Sequence, residues 1–305
     1  MNINHKCLFI GSKQIGLEVL RLILKLAPAS LIGAATLDDA GDSRSVKSTF
    51  DQLARKSGLP LEAMSDPMML GRLVKELKPD FVLVVGWYRL IPEKILNLAP
   101  LGFVGVHASP LPAYRGGAPV VWQIINGEPE IGVSLFKLAP GIDSGDIIDQ
   151  RFVPISPDQH VGEVLEQVNA CVLDQIADNF PRFLNGHIEG IRQNEASASY
   201  CSARVPQDGL IDWRLPAKYI KDFIRAQSRP YPGAFCQYAN GEELILWRAR
   251  LFPHPYYGVP GRVGQVYDGG VVVSCGQGAI IIDDIGINGR EMPAREILRF
   301  GDTLR

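Results

Sequence analysis

Apolar runs alternate with amphipathic stretches along the first half of the chain. The runs KCLFI, SLIGAATL and FVLVV are short, and the stretches between them, such as LEVLRLILKL, have a helical spacing of apolar positions. Strands that alternate with helices are typical of βαβ units, in which helices cover both faces of a parallel sheet. The pattern therefore predicts an α/β domain with a mostly parallel sheet over residues 1–190.

The pattern changes after about Gly190. NEASASYCSARVPQDG is polar and aperiodic, and it predicts a linker over residues 191–208. Beyond it we expect one helix, LPAKYIKDFIRAQ, and then a small β-barrel or sandwich within a second domain at residues 209–305. The short β runs that support this prediction are separated by glycine-containing turns and include EELILWRARL, VVVSC and AIIIDDIG.

Composition limits the class of protein. The 305 residues are 46% hydrophobic and 21% charged, which suits a globular protein with a large core. A formal net charge of −2 gives no global basic field, so a nucleic-acid partner is not indicated. The five cysteines are widely spaced and lack a Cys-x-x-Cys pair, which predicts reduced thiols in a cytoplasmic protein without a metal site. Neither a signal peptide nor a membrane span is predicted.

The stretch LGFVGVHA predicts a parallel strand that ends near His107. Because side chains alternate along a strand, Gly105 and His107 point to the same face. Open α/β sheets bind ligands at the carboxyl ends of their strands, where His107 falls. The loop that follows, SPLPAYRGGAP, is stiffened by prolines, and its Arg115 offers a planar fork of donors for a phosphate or carboxylate. We therefore expect a ligand site around His107.

A second loop supplies carboxylates. The run IGVSLFKLAPGIDSGDIIDQ predicts a strand, a tight loop with Asp143 and Asp146, and another strand. A carboxylate beside His107 would orient the imidazole ring and stabilise its protonated form. The sequence leaves open whether Asp143 reaches His107, because such residues in separate loops are commonly unrelated surface groups.

Motifs in the same order along the chain resemble those of the folate-dependent formyltransferases, most closely the nucleotide-sugar N-formyltransferases. The family pattern is Asn-x-His, then Ser-Leu-Leu-Pro and Tyr-Arg-Gly, and later Gly-x-Asp-x-Gly-Asp. The matching segments here are GVH at 105–107, SPLP at 109–112, YRG at 114–116 and GIDSGD at 141–146, with further similarity in FIGS, VVGWYRLIP and RAQSRPYPGAF. The resemblance covers most of the chain. It implies a Rossmann-like formyltransferase domain and a C-terminal β domain of the OB type.

The resemblance also implies roles for individual residues. His107 matches the catalytic histidine, and Asp143 matches the aspartate that orients it. The implied donor is 10-formyltetrahydrofolate, without a metal, and the implied reaction is attack of an amine on the formyl carbon. The walls of the folate site are matched by Gly86, Trp87, Tyr88, Arg89, Leu90, Ile91, Gly141, Ile142 and Asp146. The acceptor side is matched by Gly11, Ser12, Ser109, Tyr114, Arg115, Gly116 and Arg204.

Gly105 departs from the family pattern, which usually has Asn at this position. That Asn is the expected donor to the developing oxyanion, and the loss of such a donor can cost about 3–4 kcal/mol. Either another donor replaces it, or the protein is weakly active, or its function has changed. A changed function would be folate or nucleotide binding without transfer, or hydrolysis that releases formate.

Two acceptors compete within the resemblance. Methionyl-tRNA formyltransferases carry a basic insertion after the second strand, whereas this chain reads LDDAGDSRSVKSTFDQ there, acidic and then mixed. Tight tRNA binding needs clustered Lys and Arg. The tract ARVPQDGLIDW resembles the nucleotide-sugar enzymes, in which Arg204 would contact the nucleotide. We therefore expect an amino-sugar nucleotide as the small-molecule acceptor, with tRNA as the alternative.

Three alternatives stay open at this point. Arg115 could instead form an ion pair that holds its loop, and Arg204 could form an ion pair at the domain junction. The C-terminal domain could hold nucleic acid or a second ligand, or it could form the contact of a homodimer.

Overall fold

A computed structural model describes residues 5–39, 41–42, 44–238 and 241–305. Residues 1–4, Ala40, Ser43, Ala239 and Asn240 lie outside the described residues, so parts of the opening segment and of the stretch at 37–52 have no structural account.

The chain forms two compact units, each of them discontinuous in sequence. The first contains Met1–Arg115, Gly132–Val153 and Val168–Tyr200, and the second contains Gly116–Ile131, Pro154–Gln167 and Cys201–Arg305. The domain boundaries that the sequence places at 190 and 208 stay a prediction, but residues 191–200 belong to the first unit.

The first half of the chain alternates strands with helices, as the sequence predicts. The strands are β1 (Cys7–Gly11), β2 (Leu31–Leu37), β3 (Leu61–Met64), β4 (Phe81–Val85), β5 (Phe103–His107), β6 (Arg115–Gly116), β7 (Glu130–Lys137) and β8 (Ile147–Pro154). The helices are α1 (Lys13–Leu26), α2 (Lys47–Ser57), α3 (Pro67–Leu77), α4 (Glu93–Leu96), α5 (Pro119–Ile125) and α6 (Val161–Leu184).

Seven of these strands form one sheet in the order β3-β2-β1-β4-β5-β7-β8. The pairs β2–β3, β1–β2, β1–β4 and β4–β5 are parallel, which confirms the predicted α/β class and the Rossmann-like order. The chain moves outwards from β1 to β3 and then returns to place β4 on the other side of β1. Such a reversal opens a crevice at the carboxyl ends of β1 and β4, where open α/β sheets bind ligands.

The apolar character of β4 explains its central position. All five of its residues are buried, and its first side chain, Phe81, meets Phe180 and Phe183 of α6 edge-on with ring centroids 6.0 Å apart. The helix α1 buries Leu17, Leu20 and Ile23, which share one face at helical spacing.

The pairing of β5 with β7 is antiparallel, and this direction matters for the site. His107 lies opposite Ser134, while Val104 lies opposite Lys137. The chain therefore leaves β7 near the start of β5. A loop that follows β7 must turn back along β5 to approach His107.

The second unit is built on an antiparallel sheet. The remaining α-helices and strands of the chain are β9 (Tyr200–Cys201), α7 (Ala217–Gln227), β10 (Ala234–Gln237), β11 (Glu243–Leu251), β12 (Val263–Tyr267), β13 (Gly270–Ser274), β14 (Ala279–Ile287), β15 (Arg290–Pro293) and α8 (Ala294–Ile297). The strand order of the antiparallel sheet is β10-β11-β14-β13-β12, with β15 paired to β14. Ile220 and Ile224 of α7 join buried residues of the sheet in one core. The short strands that the sequence predicts are present, and the OB-type closure stays a prediction.

Two further expectations concern the environment of the protein. In the described part of the chain, no helix has both the length and the apolar character needed to cross a membrane. All five cysteines are described and are free thiols. The cytoplasmic location stays a prediction.

Candidate active site

His107 is the last residue of β5 and its side chain is largely buried, with 9% of the residue exposed. Its ring meets Phe136 of β7 edge-on, with centroids 6.5 Å apart. The strand thus ends where the sequence predicts, and the sheet holds the imidazole at its carboxyl edge.

The main-chain carbonyl of Tyr114 lies 2.8 Å from His107 Nε2. A carbonyl oxygen can only accept a hydrogen bond, so Nε2 must carry the proton. The neutral ring therefore has its lone pair on Nδ1. Tyr114 itself has a φ of 59°, a left-handed conformation that is uncommon for a residue other than glycine.

The carboxylate of Asp143 faces the other ring nitrogen of His107. Its Oδ2 lies 3.6 Å from Nδ1, so the structure brings together the two residues that the sequence could not join. The loop after β7 turns back along β5 to achieve this, because Lys137 lies at the opposite end of that strand. Asp143 also has a left-handed φ, of 47°.

A close backbone approach shapes the Asp143 loop. The Lys137 N–H donates to the carbonyl of Asp146 at 2.9 Å. A Cβ atom on Gly145 would clash with the Lys137 carbonyl, so only glycine fits there. Asp146 packs its Cβ against Gly190, and Gly141 lies beside Ser144. Of the predicted folate residues in this loop, Ile142 is the exposed apolar one, at 53%.

Ser109 is fully buried and builds the loop that follows β5. Its hydroxyl donates to the carbonyl of Ala113 at 2.7 Å, and its own carbonyl accepts from the Ser134 hydroxyl at 2.7 Å. The Leu111 N–H donates to the same Ser134 oxygen at 3.2 Å. Ser109 therefore has a role in loop structure, and the contact with the acceptor predicted for it stays a prediction.

Arg115 is also buried, with 1% exposed. Its Nε and Nη2 donate to Gln193 Oε1 at 3.1 and 2.7 Å, and its two terminal nitrogens reach both carboxylate oxygens of Glu195 at 2.8 and 2.9 Å. Nη1 also donates to the Tyr200 hydroxyl at 3.1 Å. The hydrogen bonds with Glu195 raise the pKa of Arg115 and lower that of Glu195. The guanidinium therefore holds its own loop, and the substrate contact predicted for Arg115 stays a prediction.

Gly116 has a φ of 106°, and a Cβ atom there would clash with the carbonyl of Cys201. Its match to the family motif thus has a backbone explanation. The Arg115 N–H donates to the Ser199 carbonyl at 2.9 Å, and the Tyr114 N–H donates to the Ser199 hydroxyl at 2.9 Å. The segment predicted as a linker therefore supports the His107 loop.

Leu138 occupies the space beside Gly105. A Cβ atom built on Gly105 would lie 2.7 Å from Leu138 Cδ2 and 3.5 Å from Phe136 Cε1. The side chain that the family pattern would place next to His107 is thus absent, and an apolar methyl group lies there instead.

The carboxyl ends of β1 and β4 are fastened to each other at the sheet's reversal point. The buried Ser12 hydroxyl donates to the Gly86 carbonyl, and the Ser12 N–H donates to the Val85 carbonyl at 3.2 Å. Gly86 has a φ of 69°, and a Cβ atom there would clash with the Ser12 carbonyl. Gly11 packs against Val85 and Phe9. Gly11 and Ser12 therefore lie at this reversal point, and the acceptor contacts predicted for them stay a prediction.

The segment after Gly86 presents both buried and exposed apolar groups. Trp87 and Ile91 pack against the core beneath β4, and the Trp87 Nε1–H is buried with no acceptor within the described residues. Tyr88 and Leu90 are exposed, at 57% and 78%. Arg89 donates to the Ser65 carbonyl at 2.8 Å.

Lys13 anchors a charged cluster next to this segment. Its ammonium group lies 2.6 Å from Asp39 Oδ2 and 2.7 Å from Asp42 Oδ2, and 5.1 Å from the centre of the Tyr88 ring. The Tyr88 hydroxyl donates to Asp39 at 3.3 Å. Burial disfavours charge on Asp39, but hydrogen bonds from Lys13 and Ser45 outweigh it and lower the Asp39 pKa. The Lys13 hydrogen bond also holds the Asp42 pKa well below its usual range.

Arg204 lies in the second unit between two aromatic rings. Its guanidinium carbon is 4.9 Å from the centre of the Trp122 ring and 5.4 Å from that of Phe223. Nη2 donates to the Asp208 carbonyl and to Gln227 Oε1, both at 2.6 Å, and burial lowers the Arg204 pKa. Neutral acceptors and ring faces thus hold this guanidinium within the described residues of the second unit. The predicted nucleotide contact stays a prediction.

Sequence reasoning missed several residues of this site. Gln193, Glu195 and Ser199 lie in a polar, aperiodic stretch, and Leu138 follows a strand without any special neighbour. A buried arginine in the motif loop requires polar partners, and that requirement is the one signal that could have prompted a search for Gln193 and Glu195.

Comparison with models of protein families identifies the family of this chain. The formyl transferase model matches residues 39–174, and the model of the formyl transferase C-terminal domain matches residues 205–300. The chain belongs to the formyl transferase family. This formyl transferase carries His107 and Asp143 within the first matched region, and α7 and the antiparallel sheet within the second.

Solved structures share the fold of this formyl transferase at low identity. HypX from Aquifex aeolicus in complex with tetrahydrofolic acid matches at 19% identity with a TM-score of 0.64, over 97% of this chain and 47% of that one. An N-formyltransferase from Helicobacter canadensis in complex with folinic acid and dTDP-3-aminofucose matches at 21% identity with a TM-score of 0.67, over 91% of this chain and 98% of that one. Methionyl-tRNA formyltransferase from Clostridium thermocellum matches at 19% identity with a TM-score of 0.62, over 93% of this chain and 98% of that one. The chain thus spans about half the length of HypX.

The contact between Gly105 and Leu138 predicts an energetic coupling. Gly105→Asn should lower the free energy of unfolding by about 1–3 kcal/mol, since the new side chain must displace a packed methyl group. In a Leu138→Ala background the same change should cost clearly less. Urea unfolding of the four proteins measures both costs. Equal costs in the two backgrounds would show that Leu138 does not occupy this space.

The Lys13 cluster predicts a pH-dependent contribution to stability. Both aspartates have lowered pKa values in the folded state, so their stabilisation is present above the unfolded value of about 3.9 and is lost as the pH falls below it. Lys13→Met should therefore cost about 1–2 kcal/mol at pH 7 and less at pH 3. Urea unfolding at both pH values measures this, with the exposed Lys56→Met as the control. A cost that does not change with pH would contradict the assignment.

Proposed function

We propose that this formyl transferase moves a formyl group from 10-formyltetrahydrofolate to the amine of an amino-sugar nucleotide. The observation that carries the proposal is the environment of His107, in which Tyr114 fixes the proton on Nε2 and Asp143 faces Nδ1. A base with this arrangement can accept a proton from an attacking amine.

In the proposed reaction the amine nitrogen bonds to the formyl carbon, and the carbonyl electron pair moves to the formyl oxygen. His107 Nδ1 takes one proton from the amine, and the ring becomes an imidazolium whose charge Asp143 stabilises at 3.6 Å. When the tetrahedral intermediate collapses, the bond between the formyl carbon and folate N10 breaks. The proton returns from Nδ1 to that nitrogen, so the histidine is restored.

The developing oxyanion requires a donor, and position 105 has no side chain to offer one. The imidazolium provides a substitute, because Nδ1 carries a proton in the same step in which the oxygen becomes negative. With Leu138 beside Gly105, the methyl group excludes water there and strengthens this interaction.

The folate donor is supported by groups that line the ends of β4 and the Asp143 loop. Tyr88, Leu90 and Ile142 expose apolar surface that a pterin and its benzoyl group would cover. The family match and the folate compounds bound by HypX and the Helicobacter canadensis enzyme favour the same donor.

The acceptor is supported by charge. The described cations of the stretch after β2 are paired with aspartates, Arg44 with Asp42 and Lys47 with Asp38 and Asp51. Cations that are already paired bind a tRNA backbone weakly. The amino-sugar nucleotide bound by the Helicobacter canadensis enzyme has the kind of amine that we propose. A cytoplasmic location and a homodimer remain part of this proposal.

An acceptor assay tests the function. Purified protein is mixed with 10-formyltetrahydrofolate and a panel of amino-sugar nucleotides, including dTDP-3-aminofucose, and then with initiator methionyl-tRNA. We expect tetrahydrofolate release with one of the sugar nucleotides. Release with the tRNA alone would overturn the acceptor, and release without any acceptor would indicate a hydrolase. Folate binding with no release under any condition would overturn the transferase itself.

Two substitutions test the assigned roles. His107→Ala should lower kcat by about 10²–10⁴-fold through loss of the base. Asp143→Asn should lower kcat in the same direction, because a neutral amide stabilises the imidazolium less than a carboxylate does. Stopped-time formylation assays measure both, with the exposed His187→Ala as the control. Near-native kcat in either variant would refute the role given to that residue.

A further inference from the structure

Both groups that face the imidazole of His107 come from residues in an uncommon backbone conformation. Tyr114 has a φ of 59° and Asp143 has a φ of 47°. A non-glycine residue in this region costs of order 1 kcal/mol or more, and it persists only where the surroundings fix it. Something must therefore hold each loop.

One side chain contacts both loops. Gln193, which is 5% exposed, donates from Nε2 to the main-chain carbonyl of Asp143 at 2.8 Å and to that of Gly145 at 2.6 Å. These two bonds use both protons of the amide and fix the backbone on either side of Ser144.

The other end of the same amide faces the His107 loop. Gln193 Oε1 accepts from Arg115 at Nε and Nη2, 3.1 and 2.7 Å away. Arg115 follows Tyr114 directly, and the carbonyl of Tyr114 is the group that binds His107 Nε2. The amide thus joins the backbone that carries the carboxylate to the residue that anchors the carbonyl.

We propose that Gln193 is a positioning residue that sets the imidazole of His107 between Tyr114 and Asp143. The proposal rests on the proposed function for its kinetic consequence, while its structural content stands on the hydrogen bonds alone. In this proposal Gln193 acts through Arg115 and the Asp143 loop.

The chemistry of position 193 is specific to an amide. Only Asn and Gln offer two donors and an acceptor on one short planar group. A glutamate could still accept from Arg115 through one oxygen, but its other oxygen would face the carbonyls of Asp143 and Gly145 without a proton to share. A methionine of similar length would lose both sets of bonds. The two changes therefore separate the two arms of the bridge.

The test uses the 305-residue chain and four variants. Gln193→Glu disturbs the Asp143 arm alone and Gln193→Met disturbs both arms. Gln167→Met is the matched control, because Gln167 is an exposed glutamine on α6 that takes no part in the bridge. Thermal unfolding first establishes that each variant folds. The readouts are kcat and KM in the formylation assay, and the ¹⁵N shifts of the imidazole of His107, identified with His107→Ala among the five histidines.

We expect Gln193→Glu to lower kcat about 100-fold with KM changed less than threefold, since a small displacement of a catalytic group has an effect of this size. The ring should keep its proton on Nε2, because Arg115 remains paired. Gln193→Met should lower kcat as much and also give a mixture of the two neutral tautomers. Gln167→Met should change kcat less than threefold and leave the ¹⁵N shifts unchanged.

Three results would overturn the proposal. One is a folded Gln193→Met protein with near-native kcat and an unchanged tautomer, and another is a Gln167→Met protein with the same losses as Gln193→Met. If Gln193→Met does not fold, near-native kcat in folded Gln193→Glu overturns it. The ¹⁵N measurement needs no turnover. Wild-type protein that is inactive with every acceptor would therefore refute the proposed function, while the positioning of His107 could still be measured.

Discussion

The buried guanidinium of Arg115 is the constraint on which the candidate active site of the protein depends. A cation removed from water must be matched by hydrogen bonds and opposite charge, or it destabilises the fold by several kcal/mol. Gln193, Glu195 and Tyr200 supply this match. All three belong to the segment after α6. Because Arg115 is buried and needs these partners, that segment packs against the loop that follows β5. The loop in turn determines where Tyr114 directs its carbonyl.

The site is shaped by main chain as much as by side chains. The Tyr114 carbonyl accepts from His107 Nε2 and so determines the tautomer of the ring. The carbonyls of Asp143 and Gly145 accept hydrogen bonds from the Gln193 amide. Gly145 lets its loop approach β7 closely enough to turn back along β5. The motif residues of this family are therefore explained partly by backbone geometry, whereas His107 and Asp143 are the residues to which we assign chemical roles in the proposed reaction.

Much of this architecture could be predicted from the sequence. The alternation of apolar runs with helical stretches correctly predicts the α/β class and the mostly parallel sheet. The alternation of side chains along a strand predicts that Gly105 and His107 share one face. The approach of Asp143 could not be predicted from the residues, because it depends on the antiparallel register of β7 and on a loop that reverses direction. The role that we propose for Gln193 could not be predicted for a different reason. Polar residues in an aperiodic stretch are normally exposed, and only the buried charge of Arg115 makes this one an interior residue.

The carbonyl that orients His107 belongs to the main chain, and this has a consequence for the evolution of the site. A side-chain acceptor can be lost through a single base change, whereas the oxygen of residue 114 is present whichever amino acid is encoded there. Only the left-handed backbone must be preserved, and Asn or Gly would adopt it at lower cost than most residues. The bond that sets the tautomer of His107 therefore depends on the backbone conformation of residue 114 and not on the identity of its side chain.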